Sequence, residues 1–136
     1  MLEYRNVLTT CPYCGTGCNF YLKVLDGDLV GVMPAKEHPV SHGGLCIKGW
    51  NAHAFVNHPD RLKSPLIRKN GSLQEATWDE AFQLIADRLG EIKAQSGPDS
   101  IGISTSSRCT NEDNYLMQKL ARAVIGTNNI DNCARL

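Results

Sequence analysis

From Asn19 to Leu25 the apolar residues Phe20, Leu22 and Val24 alternate with Tyr21 and Lys23, and after Asp26-Gly27 the alternation resumes through Val30 and Val32 to Met33. Alternation broken by Asp-Gly predicts an antiparallel hairpin, because that dipeptide supports the primed turns whose twist matches paired strands. Pro34 to Gly44 is rich in Pro, His and Gly and has no period, so it reads as a loop. Trp50 to Lys69 mixes apolar residues with Asn, His, Pro and Arg; His58-Pro59-Asp60 and Ser64-Pro65 are turn or extended segments, and no regular element is predicted there.

The pattern then changes period. Thr77-Trp78-Asp79-Glu80 fits a capping box, with two carboxylates placed where the helix dipole favours them. Trp78, Phe82, Ile85, Leu89 and Ile92 recur at three and four residues, which predicts a helix with one apolar stripe ending before Gly97-Pro98. Ser100 to Thr105 carries Ile101 and Ile103 in alternation and predicts a short strand. A second capping signal at Thr110-Asn111-Glu112-Asp113 starts a helix whose stripe, Leu116, Leu120, Ala123 and Val124, ends at Gly126; a further strand is expected near Asn129 to Ile130. Helix, strand, helix in this order reads as the beginning of an α/β layer. The fold class expected is therefore α+β: a small antiparallel-strand domain over residues 1–68, followed by an incomplete α/β domain over residues 69–136.

Charge and composition narrow the function. Fourteen Lys and Arg balance fourteen Asp and Glu, and no basic block tracks a phosphate backbone, so a nucleic-acid partner is not expected. No apolar run approaches the roughly 20 residues that span a bilayer, and Met1 to Thr10 lack the features of an export signal, so direct membrane insertion is not expected and a cytoplasmic location is. Six cysteines are many for that compartment, where thiols serve metals or reactions more often than disulfides.

Three of the six cluster in Cys11-Pro12-Tyr13-Cys14-Gly15-Thr16-Gly17-Cys18, and Cys46 follows the Gly43-Gly44 turn. A short loop can wrap three thiolates around three corners of an inorganic cube, with a distant fourth completing it; Gly15 and Gly17 ease the wrapping by tolerating unusual dihedrals. A 4Fe–4S cluster on Cys11, Cys14, Cys18 and Cys46 is the leading reading. A structural zinc site is the first alternative, although such sites usually pair two Cys-x2-Cys knuckles rather than three cysteines plus one. A small stand-alone electron carrier is a second.

Lys48, two residues beyond Cys46, admits two readings: a solvated surface lysine, or an ammonium that favours the reduced, more negative state of the cluster and bridges toward another anionic group. Cys109, beside Arg108 before a helix start, and Cys133 join no ligand pattern and read as buried fillers more readily than as ligands; His38, His42, His53 and His58 form no metal motif. Ser106-Ser107-Arg108 and Gly126-Thr127-Asn128-Asn129 lie at element ends, where α/β proteins bind phosphates, but neither dinucleotide-binding nor Walker glycine motifs are present and ordinary capping is the default reading.

The Cys11 to Cys18 arrangement, Cys46-Ile47-Lys48-Gly49, Thr77-Trp78-Asp79-Glu80-Ala81, Ser106-Ser107-Arg108-Cys109-Thr110-Asn111-Glu112, Gly126-Thr127-Asn128-Asn129 and Asn132-Cys133-Ala134-Arg135 together resemble the amino-terminal part of the catalytic subunit of molybdenum- or tungsten-dependent formate dehydrogenases. These are molybdopterin oxidoreductases that bind two pterin guanine dinucleotides. The four-cysteine motif is shared across the wider family, including nitrate reductases; the final third favours formate dehydrogenase. The resemblance implies that Cys11, Cys14, Cys18 and Cys46 ligate the cluster, that Lys48 lies between cluster and pterin as the candidate catalytic residue, and that Arg108 approaches the dinucleotide in the α/β domain.

It also implies a parent enzyme interconverting formate and CO2 at molybdenum or tungsten bis(molybdopterin guanine dinucleotide). The partners it implies are formate or CO2 and iron-sulfur electron-transfer subunits, with hydrogenase or nicotinamide reductase as candidates for the coupled enzyme. In that family the residue after the Leu136 position is a selenocysteine or cysteine metal ligand. The 136 residues alone are therefore expected to be inactive, and the codon after Leu136 is expected to be UGA.

Overall fold

The computed structural model describes residues 1–133; Ala134-Arg135-Leu136, the end of the last resembling segment, lies outside the described residues. The chain divides into two compact units, one of Met1–Arg61 with Thr105–Tyr115 and Asn132–Leu136, the other of Leu62–Ser104 with Leu116–Asp131.

The first unit is built on a three-stranded antiparallel sheet in the order β1 (Tyr4–Thr10), β2 (Asn19–Leu25), β3 (Asp28–Pro34). The expected hairpin is β2 and β3, turning at Asp26 and Gly27, which both take positive φ. Strand β1 was not expected. It pairs with β2 from Tyr4 opposite Leu25 to Thr10 opposite Asn19, and the cysteine loop connects the two strands. Phe20 and Val32 on the covered face pack with Cys11 and Ala52, and Tyr13, Cys18, Leu22 and Leu45 surround them.

The return loop is tied to this sheet. Ser41 Oγ accepts from the Asn19 amide, and the buried Asn19 side chain donates to Thr9 O and Thr10 Oγ1. Gly43 has φ +83 and passes so close to Lys36 that a Cβ would lie 2.9 Å from its Cγ; only glycine meets both demands. The turn delivers Cys46 to the start of α1 (Ile47–Trp50).

The second unit opens with a hairpin of β4 (Leu66–Lys69) and β5 (Ser72–Glu75), turning at Asn70-Gly71. The capping box forms as the sequence predicts: Thr77 Oγ1 accepts from Glu80 N at 3.2 Å, and Glu80 Oε2 accepts from Thr77 N at 2.8 Å. Helix α2 (Trp78–Ser96) stops at Gly97, which takes φ +81. A 3-10 turn, Pro98–Ser100, precedes β6 (Ile103–Thr105), so the expected strand begins three residues later than its alternation suggests. Helix α3 (Asn111–Lys119) continues as a π-helical turn, Leu120–Ile125, and ends at left-handed Gly126. The amides of Gly126 and Thr127 both donate to Ala121 O there. β7 (Ile130–Asn132) pairs with β6.

The small core of this unit includes Ala81, Ile101, Ala121 and Ile125. Most of the predicted α2 stripe is not covered: Trp78, Phe82 and Ile85 are each more than half exposed. They and their neighbours leave an apolar groove of about 790 Å³ lined by residues from Phe82 to Ile125.

Candidate metal centre

Four of the six cysteines meet at one place in the first unit. Cys11, Cys14, Cys18 and Cys46 line a single cavity of about 250 Å³, whose walls also include Tyr13, Lys48 and Arg108. The cysteine loop is closed at its base by Cys11 N donating to Cys18 O at 2.8 Å. Gly17 takes φ +68, as the wrapping argument expects of a glycine. Gly15 is needed for another reason. Its backbone lies against Asn111, whose Oδ1 would be 2.5 Å from an added Cβ.

Each sulfur has its own surroundings. Hydrogen bonds from the Thr16 hydroxyl and the Thr16 backbone hold the Cys14 thiol below its ordinary range; Cys14 Sγ and Thr16 Oγ1 are 3.4 Å apart. Cys46 precedes the first turn of α1, and the backbone amides of Gly49 and Lys48 lower its thiol. The Cys18 thiol is pushed up, first by burial and then by the charges of Cys11, Cys14 and Cys46. That mutual influence places the four sulfurs in one electrostatic neighbourhood.

Among the described residues, no group of three or more His, Cys, Asp or Glu side chains converges as ligands of one ion do. Four sulfurs on a single zinc would sit roughly 4 Å apart, given Zn–S bonds of about 2.3 Å. A cubane needs its four thiolates spread around a body of several atoms, one to each iron. The donor chemistry, four thiols lining one cavity with Lys48 and Arg108 in its wall, suits a group that takes one thiolate at each iron.

Arg108 reaches this cavity from the segment between β6 and α3. The wall around it is well braced. Arg108 N donates to Ser106 Oγ, and Asn114 Nδ2 donates to both Ser106 O and Thr110 O. Asn132 Nδ2 in turn donates to Asn114 Oδ1. Cys109 is half-buried. Cys133 is exposed, 3.3 Å from Ser106 Oγ, and its thiol is lowered chiefly by that hydroxyl. Sequence reasoning missed Asn111, whose Nδ2 donates to Gly15 O at 2.9 Å across 96 positions of sequence.

The sequence pattern of the molybdopterin oxidoreductase Fe4S4 domain matches residues 4–58, and that of molybdopterin oxidoreductase matches residues 61–136. The chain belongs to the molybdopterin oxidoreductase family. It is 56% identical over 135 residues to F420-dependent formate dehydrogenase 1 subunit alpha of Methanococcus maripaludis, covering 99% of this chain and 19% of that protein. It is 48% identical over 135 residues to the F420-dependent formate dehydrogenase subunit alpha of Methanocaldococcus jannaschii, with the same shares. The chain thus spans about a fifth of the length of these curated relatives. Among solved structures, acetylene hydratase from Pelobacter acetylenicus shares the fold with a TM-score of 0.69 at 24% identity, over 92% of this chain and 18% of that one. Among the described residues, no helix is long and apolar enough to cross a membrane.

Proposed function

We propose that this chain is the amino-terminal, electron-relaying portion of a formate dehydrogenase catalytic subunit, with a 4Fe–4S cluster held by Cys11, Cys14, Cys18 and Cys46. The observation that carries the reading is the single cavity lined by these four thiols with Lys48 and Arg108. The similarity to formate dehydrogenase alpha subunits, each about five times longer than the matched region, supports the choice of substrate.

When bound, the cluster supplies a one-electron store between a two-electron reaction centre and outside acceptors. The chain's own residues prepare it. Cys11 and Cys18 sit in or against the sheet core and fix two corners, while the amides of α1 face Cys46. Lys48 and Arg108 place positive charge at the rim of the cavity, where it would offset the charge a bound cluster gains on reduction. Lys48 is the residue we assign between cluster and pterin, and Arg108 the one that faces the dinucleotide.

Residues 1–68 are assigned to the iron-sulfur domain, and residues 69–136 to the start of the domain that binds molybdenum or tungsten bis(molybdopterin guanine dinucleotide). In the full-length parent the reaction is formate and CO2 interconversion in the cytoplasm, with iron-sulfur partner subunits taking the electrons. A selenocysteine or cysteine beyond Leu136 would ligate the catalytic metal.

Metal and sulfide analysis of the anaerobically isolated protein tests the cluster. About four iron and four sulfide per chain at this site, with a broad visible absorbance that bleaches on reduction, are expected for a cubane. Stoichiometric zinc with little iron overturns the assignment. Formate-dependent reduction of an artificial acceptor by the full-length parent tests the substrate.

A further inference from the structure

We propose that Asn111 is a positioning residue for the cluster. By gripping the Gly15 carbonyl, it holds the tip of the cysteine loop so that Thr16 stays against the Cys14 sulfur, and so raises the potential at which the cluster accepts an electron. The inference rests on the cluster reading above and concerns a residue to which neither motif nor ligand pattern assigns a role.

The geometry is a short chain of contacts. In a trans peptide the C=O and N–H lie antiparallel in one plane, so fixing the oxygen of Gly15 also orients the start of Thr16. Asn111 Nδ2 donates to that oxygen at 2.9 Å. On the other side, Thr16 Oγ1 lies 3.4 Å from Cys14 Sγ. The remaining turn contact in the loop is long, with Gly17 N donating to Cys14 O at 3.4 Å, so Asn111 is the shorter restraint on the loop's tip. Hydrogen bonds to cluster sulfurs stabilise the reduced, more negative state and raise the reduction potential.

Asn111 is itself rigidly placed. It opens α3 immediately after Thr110, whose Oγ1 accepts from Asp113 N while Asp113 Oδ2 accepts from Thr110 N. Asn114, one turn on, is bonded to Ser106 O and Thr110 O. None of these bonds uses the Asn111 side chain, so its removal leaves the helix start capped. The close approach that places Asn111 also explains Gly15. An alanine there meets Asn111 Oδ1 at 2.5 Å and pushes the amide away, although Gly15 does not adopt the left-handed conformation that would strain a side chain.

The test is a redox titration, followed by EPR and visible bleaching, of the intact protein isolated anaerobically as wild type, Asn111→Ala, Gly15→Ala and the double variant. Iron and sulfide are measured on each. Asn111→Ala is expected to keep its iron and to show a midpoint potential shifted to more negative values. Gly15→Ala should show a shift in the same direction, and the double variant no more than Asn111→Ala alone. Asn111→Gln, which restores an amide donor on a longer arm, should recover part of the shift.

Unchanged potential in Asn111→Ala overturns the proposal, as do fully additive shifts in the double variant. Loss of the cluster from Asn111→Ala and Asn111→Gln alike also overturns it, because it assigns Asn111 a folding role. A wild-type protein without iron and sulfide overturns the cluster reading itself, an outcome distinct from a normal cluster whose potential ignores Asn111.

Discussion

At the scale of single residues, Lys48 and Arg108 are the two cations in the wall of the cysteine-lined cavity, and they arrive by different routes. Lys48 follows Cys46 in the sequence, so its proximity is local and readable from spacing. Arg108 is brought by a long-range fold, and spacing alone left it undistinguished from a capping residue. Lys48 lies on the exposed side of the short helix α1, where its loss removes charge without opening the core. Lys48→Ala is therefore expected to leave iron and sulfide content at the wild-type level while slowing electron exchange between pterin and cluster in the full-length parent. Stopped-flow reduction by formate, monitored at the cluster absorbance, reads that rate. An unchanged rate with an intact cluster makes Lys48 a solvated bystander.

At the scale of elements, the capping box of α2 gives a stability prediction with a definite sign. Glu80 accepts from the Thr77 amide and lies near Lys69, 3.9 Å away; the Thr77 backbone bond first, then Lys69 and the Thr77 hydroxyl, hold its carboxyl below the ordinary value. A carboxylate whose folded pKa is depressed contributes stability above its unfolded pKa and loses it as pH falls through the folded value. Opening of α2, followed by amide exchange over Trp78–Ser96, should thus increase as acid protonates Glu80, and Glu80→Gln should flatten that dependence. Thr77→Ala should weaken the helix start by about 1 kcal/mol at neutral pH, the usual value of such a cap. Protection, corrected for the intrinsic exchange rate, that is insensitive both to acid and to Thr77→Ala would show that packing, not the cap, holds this end.

The elements that were legible in the sequence are those whose signals are local. The Asp26-Gly27 hairpin and both helix starts depend on neighbours within a few positions, and the structure forms them where the pattern predicts. Strand β1 was not legible because its alternation is poor and its residues remain mostly exposed; pairing with β2, rather than burial, makes it a strand. The β4–β5 hairpin was hidden for a similar reason, since all but Ile67 of its residues are exposed and only the Asn70-Gly71 turn marks it. In the site, the four cysteines were legible as a motif. Asn111 was not, because a contact across 96 positions leaves no trace in a single sequence except an unexplained glycine at its far end.

At the scale of the whole molecule, the distribution of apolar surface carries the last prediction. The first unit buries Phe20, Val32 and Ala52 beneath its sheet while leaving Leu2 and Ile47 exposed, and the second leaves Trp78, Phe82, Ile85, Leu116 and Val124 more than half exposed. Contiguous apolar surface of this kind is a docking face or an aggregation liability in a soluble protein. The chain spans about a fifth of the curated relatives it matches, and the full-length parent proposed above would have ample material to cover such faces. Produced as residues 1–136 alone, the protein is expected to bind a hydrophobic dye strongly and to self-associate in sedimentation velocity. Replacing Phe82 and Val124, both in the groove of the second unit, with glutamine should reduce dye binding and association together. Each of these side chains exposes more than half its surface, so the substitutions remove little existing packing. A dye-silent monomer of residues 1–136 would overturn the reading of these side chains as an uncovered apolar face.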